Sequence, residues 1–186
     1  ESVHPSTNIR LEQFEAHLAE LAKPKYTVLP LPEIIARLRA KKTLPERTVG
    51  ISIDDAFLSV YREAFPRLRN AGLPFTLFVA TDPVDRGIGG YMSWDQIREM
   101  QKAGATIGSQ THTHLHMARS NATLNAADLA TSNARFAAEL GGAPKIIAYP
   151  YGEYSLAVGK TAKEAGFTAG FGQHSGVLHP NADMSY

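Results

Sequence analysis

The sequence predicts an α/β fold in which parallel strands are joined by helices. Segments with the apolar spacing of amphipathic helices alternate along the chain with short apolar runs that are typical of strands. One of these runs, residues 75–80, is almost continuously apolar, as expected for a strand that is buried on both faces of a parallel sheet. The chain has 186 residues, of which 44% are apolar, so we expect one domain that spans residues 1–186.

Helices and strands are predicted in alternation, starting with a helix. The predicted strands are residues 26–29, 49–53, 75–80, 105–109, 145–149 and 167–171. The predicted helices are residues 10–21, 32–41, 56–70, 94–103, 126–140 and 156–165. Stretches that are rich in polar residues, glycine or proline predict loops at residues 81–90 and 120–125.

Proline and serine mark several helix boundaries. Pro24 stops the first helix. Ser93 is expected to cap the helix that begins at Trp94, and we expect the indole of Trp94 to pack against the wall of the sheet. Pro66 has no backbone N–H, so it must kink or restart the helix that contains it.

The composition gives no reason to expect several classes of partner or a membrane-spanning segment. The chain has 19 basic and 18 acidic residues, a net charge of +1, which gives no reason to expect nucleic acid or an anionic membrane surface. It has no run of about 18 apolar residues, so no membrane-spanning helix is expected. Residues 1–8 lack the basic and apolar regions of a signal peptide, as would also be true of a processed secreted protein.

The chain contains no cysteine. Disulfides, thiolate metal sites and a cysteine nucleophile are therefore excluded. A chain without free thiols fits the periplasm or the extracellular space slightly better than the cytosol, and we expect one of those two locations. The sequence does not indicate an oligomeric state.

Two adjacent carboxylates, Asp54 and Asp55, directly follow the predicted strand 49–53. Like charges this close together cost free energy unless a proton or a cation compensates them. Capping of the following helix would explain one aspartate well and two poorly. The pair therefore predicts a metal site, in which one aspartate is a ligand and the other transfers protons.

A second polar cluster follows the predicted strand 105–109. His112, His114 and His116 are three of the seven histidines and fall within five residues. Because active sites of parallel α/β folds collect at the carboxyl ends of strands, we expect these imidazoles near the aspartate pair. A polar surface loop is the alternative for the histidines taken alone. The remaining histidines, which we expect at the surface, are His4, His17, His174 and His179.

Four segments of the chain together resemble the polysaccharide deacetylases of carbohydrate esterase family 4. In the order of that family, they are Ser52-Ile53-Asp54-Asp55-Ala56-Phe57, Pro74-Phe75-Thr76-Leu77-Phe78-Val79, Ile107-Gly108-Ser109-Gln110-Thr111 and Pro150-Tyr151-Gly152. Taken alone, the last segment indicates only a rigid loop between a strand and a helix. The resemblance covers residues 11–172 and implies a distorted (β/α) barrel with fewer than eight complete units.

The same resemblance implies a divalent metal that is held by an aspartate and two histidines, with the preceding aspartate as catalytic base. Carried over to this chain, Asp54 is the base, Asp55 is a metal ligand, and the backbone N–H of Tyr151 donates to the oxyanion. The arginine that usually precedes the last segment is replaced here by Ala148.

The histidine part of the family's pattern is altered in this chain. Aligned on Gly108, the family's two metal histidines correspond to Gln110 and His114, and His116 is then a candidate for the third ligand. A register two residues later would use His112 and His116 instead. We prefer the first register because the glycine and the strand end fix it.

The resemblance also implies an activity, namely metal-dependent removal of acetyl groups from N-acetylated or O-acetylated oligo- or polysaccharides. An aspartate with two histidines favours Zn²⁺, whereas the neutral oxygen of Gln110 makes Mn²⁺ or Co²⁺ alternatives. The family's first strand and its late segment, which contains a histidine acid, are not found, so we expect an incomplete barrel with His174 as the candidate acid. A non-catalytic glycan-binding domain and a hydrolase of another acyl or amide substrate are the competing hypotheses.

Overall fold

The computed structural model describes residues 8–177, in which strands alternate with helices. The strands are β1 (Thr27–Val28), β2 (Thr48–Val49), β3 (Ser52–Ile53), β4 (Thr76–Val79), β5 (Thr106–Ser109), β6 (Ile146–Ala148) and β7 (Ala169–Phe171). The helices are α1 (Leu11–Leu21), α2 (Leu31–Arg39), α3 (Phe65–Asn70), α4 (Thr81–Asp85), α5 (Trp94–Lys102), α6 (Ala122–Leu140) and α7 (Leu156–Glu164). Short 3₁₀ turns lie after β5 and β6, at Met117–Arg119 and Pro150–Gly152.

The strands form two parallel sheets. β1 pairs with β2, and the larger sheet has the order β3-β4-β5-β6-β7, so each of its strands lies beside its predecessor in the chain. A parallel sheet that is wound in one direction with helical connections is the wall of a (β/α) barrel. Among residues 8–177 this wall has five strands, so the described barrel is incomplete, which confirms the predicted fold class.

The prediction of one strand over residues 49–53 is wrong, because residues 50–51 separate β2 from β3. A Cβ atom on Gly50 would lie 2.4 Å from Cδ2 of Leu31 and 3.0 Å from Cδ1 of Ile34. Helix α2 therefore packs against bare backbone at Gly50. At this point the chain leaves the small sheet and enters the larger one.

Side chains of the larger sheet contribute to three apolar layers, and β4 supplies two of them. The first layer lies between the sheet and its helices and includes Leu68, Leu77, Val79, Trp94, Ile97, Met100 and Phe136. The second layer includes Ile35, Phe78, Ile146, Ala148 and Ala169. Because successive residues of a strand point to opposite faces, the fully buried strand β4 supplies both of these layers. Helix α2 reaches the second layer through Ile35.

Three of the predicted helix features are confirmed. Ser93 caps α5 through its hydroxyl oxygen, and Trp94 is buried with its ring edge-on to Phe136. Pro66 restarts its helix, since the π-helical segment Val60–Ala64 immediately precedes α3. A proline has no N–H to donate to the carbonyl one α-turn earlier, which favours the wider turn at this place.

Two of the predicted loops are wrong in part. Residues 81–85 form helix α4, and α6 begins at Ala122 rather than at residue 126. The side chain of Asn121 accepts the N–H of Leu124 and so provides an N-cap. Polar composition is shared by loops and by first turns of helices, so it could not separate the two.

Two further predictions concern the exposure of the single histidines and the character of the helices. His17 is exposed on α1, as predicted, whereas His4 and His179 lie outside the described residues. None of the helices within residues 8–177 combines the length and the apolar character that crossing a membrane requires.

Candidate active site

The loops after β3, β5 and β6 meet at one edge of the larger sheet. Asp55 follows β3, His114 lies in the turn after β5, and Tyr151 lies in the turn after β6. The Nε2 atom of His114 lies 3.7 Å from Oδ1 of Asp55, and the His114 and Tyr151 rings are 4.7 Å apart between centroids. The parallel topology thus brings side chains from three strand ends into one cluster.

Gln110 is buried at the end of β5 and reaches across to the aspartate loop. Its Oε1 atom accepts a hydrogen bond from the N–H of Asp55 at 3.2 Å. This bond supports the backbone of Asp55, whose φ is +55°. Gln110 therefore positions Asp55. Its amide oxygen is also an uncharged atom, close to Asp55, that could serve as a metal ligand.

Left-handed backbone conformations are concentrated at this edge. Six described residues other than glycine have positive φ, and four of them lie in the loops at this edge of the sheet. These four are Asp55 (55°), Thr111 (69°), His114 (55°) and Tyr151 (60°). Such strain costs about 1–3 kcal/mol per residue and collects where function requires fixed geometry. The strain marks the same edge of the sheet as the polar side chains.

The aspartate pair has little positive charge near it. Within residues 8–177, the imidazole of His114 is the one basic group within 4.0 Å of either carboxylate. Burial raises the pKa of both carboxyls, the charge of Asp55 raises that of Asp54 further, and His114 lowers both. Asp54 nevertheless keeps an exposed edge toward solvent. A divalent cation would supply the missing positive charge.

The neighbouring histidines have different partners. His114 faces Asp55, whereas Nδ1 of His112 lies 2.7 Å from Oγ1 of Thr81. His112 makes no hydrogen bond or ion pair with the aspartate pair within the described residues. The geometry therefore places His114, and not His112, beside Asp55, while the metal register stays a prediction.

His116, the candidate third ligand, does not join Asp55 and His114. Its ring stacks on that of Tyr151, with centroids 3.8 Å apart and planes 8° from parallel, and its Nδ1 lies 3.1 Å from Oε1 of Glu153. Across the described part of the chain, no three side chains of His, Cys, Asp or Glu are grouped so that they could hold a metal ion. In this arrangement His116 supports the ring of Tyr151.

Glu153 connects two basic side chains to the turn after β6. Its Oε1 atom lies 3.1 Å from Nδ1 of His116 and 3.1 Å from Nη2 of Arg119. Its Oε2 atom is buried and has no hydrogen-bond partner among the described residues. Because His116 stacks on Tyr151, Glu153 holds the Tyr151 turn through that imidazole.

The backbone N–H of Tyr151 is available at the cluster. It has no acceptor among the backbone carbonyls of residues 8–177. An amide N–H in this situation can donate to an oxyanion. The ring of the same residue contacts His114, and the role of its N–H as oxyanion donor stays a prediction.

Asp128 of α6 anchors the histidine turn. Its Oδ1 atom accepts the N–H of His112 at 2.6 Å, and its Oδ2 atom accepts the N–H and the hydroxyl of Thr113 at 3.1 and 2.6 Å. These donors belong to the two residues directly before His114. Helix α6 therefore fixes the backbone from which His114 projects.

His174, the predicted acid, lies in the exposed segment after β7. Within residues 8–177, no hydrogen bond or ion pair joins it to Asp54 or Asp55. Its role as an acid stays a prediction.

The residues of the cluster fit a divalent cation as part of its ligand set. Two ligands of a tetrahedral zinc ion lie roughly 3.4 Å apart. The carboxylate of Asp55 and the imidazole of His114, at 3.7 Å, have about this separation. The oxygen of Gln110 is the further protein donor near them. Such a set would leave positions for water and substrate.

Sequence reasoning missed Asp128 and Glu153. Both are single acids in polar segments, and their partners in the histidine turn lie 15 and 37 positions away. No local pattern separates them from surface acids. The position of Glu153 directly after the Pro-Tyr-Gly segment was the one available signal.

Comparisons with known proteins agree with this architecture. The sequence model of the polysaccharide deacetylase family matches residues 41–170. The poly-β-1,6-N-acetyl-D-glucosamine N-deacetylase of Staphylococcus aureus is 30% identical over 195 residues, which cover 96% of this chain and 66% of that protein. The chain spans 63% and 66% of the length of the first curated relatives that it matches.

Solved structures with the same fold cover most of the chain. IcaB from Ammonifex degensii is 29% identical with a TM-score of 0.82, over 92% of this chain and 78% of that one. The deacetylase PplD of Streptococcus pyogenes, solved with acetate, is 20% identical with a TM-score of 0.85, over 95% of this chain and 80% of that one. At 20% identity, the likeness to PplD supports the fold alone.

Proposed function

This chain belongs to the polysaccharide deacetylase family, and on that premise we propose that it is a metal-dependent deacetylase of N-acetylated glycans. The observation that carries the proposal is the Asp54–Asp55 pair at the end of β3, with Nε2 of His114 at 3.7 Å from Asp55. The Staphylococcus aureus relative is named for poly-β-1,6-N-acetyl-D-glucosamine. Polymers of N-acetylglucosamine are therefore the substrate class to test first.

Asp55 and His114 would hold the cation, with Gln110 as a neutral oxygen donor. When bound, such a cation lowers the pKa of a water molecule from 15.7 toward about 7 and polarises the acetyl carbonyl. Because an amide oxygen binds zinc less tightly than an imidazole does, Mn²⁺ and Co²⁺ should be tested beside Zn²⁺.

Asp54 takes the proton of the attacking water in this proposal. Burial and the neighbouring charge of Asp55 raise its pKa, with His114 acting in the opposite direction. A carboxylate with a raised pKa accepts a proton more readily than an ordinary aspartate. Its exposed edge lets it reach a water molecule and the substrate.

Tyr151 and His174 complete the proposed chemistry. The N–H of Tyr151, which has no backbone acceptor within residues 8–177, stabilises the tetrahedral oxyanion. Loss of one such donor typically costs about 10²–10³ in rate. The leaving amine then needs a proton, and His174 is the residue that we propose to donate it.

Acetate release from oligomers of N-acetylglucosamine tests the proposal. With Zn²⁺, Mn²⁺ or Co²⁺ present, the wild-type chain should release acetate, and Asp54→Asn should lower the rate at least about 10²-fold while the bound metal is retained. If the wild-type chain releases no acetate with any of the three metals, the proposed activity is wrong. Comparison of chitin oligomers with acetylxylan separates N-deacetylation from O-deacetylation.

A non-catalytic glycan-binding domain is the second candidate. Gln110 in a position where the family has a metal histidine favours it. So does the lack, within the described residues, of a third His, Asp or Glu that is placed to hold a metal ion together with Asp55 and His114. This candidate predicts oligosaccharide binding that persists in Asp54→Asn and after treatment with a chelator, without acetate release from the wild-type chain.

A further inference from the structure

An apolar patch borders the Asp54–Asp55 pair and has no part in the chemistry proposed above. This aromatic patch consists of Phe57, Ile88 and Tyr91. Phe57 exposes 41% of its surface and Ile88 exposes 36%. The rings of Phe57 and Tyr91 are in contact, with centroids 4.8 Å apart. Exposed apolar groups beside polar side chains are typical of ligand-binding grooves.

The backbone holds the aromatic patch in place. Phe57 and Tyr91 form an antiparallel bridge, and their neighbours add two backbone hydrogen bonds of 2.7 Å across it. Ala56 and Met92, which flank the bridge, are both 1% exposed. Because their side chains occupy the interior, the ring of Phe57 stays on the outer face. A ligand would therefore meet a preformed surface.

The aromatic patch is attached to the aspartate loop. The N–H of Phe57 donates to the carbonyl oxygen of Asp55 at 2.7 Å. Burial raises the pKa of the Tyr91 hydroxyl, and the charge of Asp55 and the hydroxyl of Tyr151 raise it further. The phenol of Tyr91 therefore shares the electrostatic environment of Asp55 and Tyr151. The patch adjoins Asp55 through the backbone, and the ring of Tyr151 adjoins His114.

We propose that the aromatic patch is a sugar-binding subsite for the N-acetylglucosamine unit next to the one that is deacetylated. One face of a pyranose ring presents C–H groups that pack on an aromatic ring, while its hydroxyls reach polar groups such as the phenol of Tyr91. A surface of three side chains is far smaller than a specific protein interface, so a small ligand such as one sugar ring suits it better than a protein. This inference rests on the proposed function and deepens it, because the patch would select polymers over single sugars.

Binding and kinetics with oligomers of increasing length test the subsite. The probes are β-1,6-linked and β-1,4-linked oligomers of N-acetylglucosamine and the monosaccharide itself, measured by calorimetry and by acetate release with the full chain. Phe57→Ala should weaken binding and raise KM about three- to tenfold for the oligomers, with a smaller effect on the monosaccharide. Phe57→Trp should restore oligomer binding. Leu11→Ala, at a residue of α1 with 36% exposure, is the matched control and should bind as wild type does.

Two results would overturn the subsite. One is oligomer binding by Phe57→Ala that equals wild type at every length. The other is an equal loss for the monosaccharide and for the oligomers. If the wild-type chain releases acetate and Phe57→Ala shows either result, the subsite is wrong and the proposed function stands. If the wild-type chain releases no acetate while oligomer binding depends on Phe57, the subsite stands and the proposed function is wrong.

Discussion

Individual side chains around Asp55 act either on the carboxylate or on the backbone that carries it. His114 faces the carboxylate at 3.7 Å. Gln110 and Asp128 instead accept backbone N–H groups, and so fix the aspartate loop and the histidine turn. The sequence pattern could indicate His114 and Gln110, because both lie near a strand end. It could not indicate Asp128, whose contacts depend on how α6 packs.

His114 and His112 should differ as metal ligands. His114→Ala is expected to weaken Zn²⁺ affinity by more than about a hundredfold, beyond the range for an outer-shell residue, because it removes the imidazole that faces Asp55. His112→Ala should have a much smaller effect, since its Nδ1 lies beside Thr81. Metal content after dialysis and calorimetric titration measure the difference. Equal metal retention in the two variants would show that the preferred register is wrong.

Asp128 should behave as a positioning residue. Asp128→Ala removes the acceptor of three hydrogen bonds in the turn before His114, and metal affinity should fall about 10- to 100-fold. Asp128→Asn, which keeps one carbonyl oxygen, should recover part of that loss. Asp95→Ala removes an 88% exposed carboxylate on α5 and serves as the control. A variant that loses thermal stability but keeps its metal affinity would limit Asp128 to a structural role.

Among the secondary-structure elements, three helices meet at one carboxylate. Asp85 at the end of α4 accepts hydrogen bonds from Arg135 of α6 at 2.8–3.0 Å and from the indole of Trp94 at 2.7 Å. Burial by itself would raise the pKa of Asp85, but the hydrogen bonds from Arg135 and Trp94 outweigh it, so this pKa lies below its usual value. The network ties α4, which was predicted as a loop, to α5 and α6.

Loss of the Asp85 charge should destabilise the fold in a pH-dependent way. Asp85→Asn should lower the free energy of unfolding near neutral pH by about 1–3 kcal/mol, because Arg135 loses its charged acceptor. Since the pKa is lower in the folded state, the ionised carboxylate stabilises the protein above the pKa of the unfolded chain. This contribution is lost as the pH falls through the folded-state pKa.

Urea unfolding near neutral pH and at about pH 3 measures this effect. The difference in free energy of unfolding between wild type and Asp85→Asn should be smaller at the lower pH. Asp82→Asn is the control, because it removes only a 3.4 Å pair with the exposed side chain of Arg86. A difference of the same size at both pH values would contradict the assignment to Asp85.

For the molecule as a whole, the alternation of helices and strands was enough to predict a parallel sheet with its chemistry at one edge. The break at Gly50 was not predictable, because it depends on the approach of α2 from elsewhere in the chain. The start of α6 was missed because a polar first turn looks like a loop until its N-cap at Asn121 is known. The same holds for the site. The side chains at the strand ends could be predicted, whereas residues of distant helices that hold them, such as Asp128, could not.

Close packing inside the barrel makes a further prediction. A Cβ atom on Gly108 of β5 would lie 2.4 Å from two ring atoms of Phe78, which is 1% exposed. Gly108→Ala should therefore lower the free energy of unfolding by about 1–3 kcal/mol. Gly142→Ala, where the added carbon would meet no heavy atom within 4 Å, should stay within about 0.5 kcal/mol of wild type. Equal unfolding midpoints for the two variants would show that the Phe78 ring moves aside without loss of stability.

The four left-handed residues at the edge of the sheet also bear on how the protein opens. Asp55, Thr111, His114 and Tyr151 each store conformational free energy in their native backbone, so a local fluctuation that releases them recovers part of it. Amide hydrogens at this edge of the sheet should therefore exchange with solvent through local opening. Those of the buried strand β4 should exchange only through global unfolding. A bound cation would stabilise the closed loops and so suppress local opening. Slower amide exchange at this edge after addition of metal would then report binding at the site without any turnover.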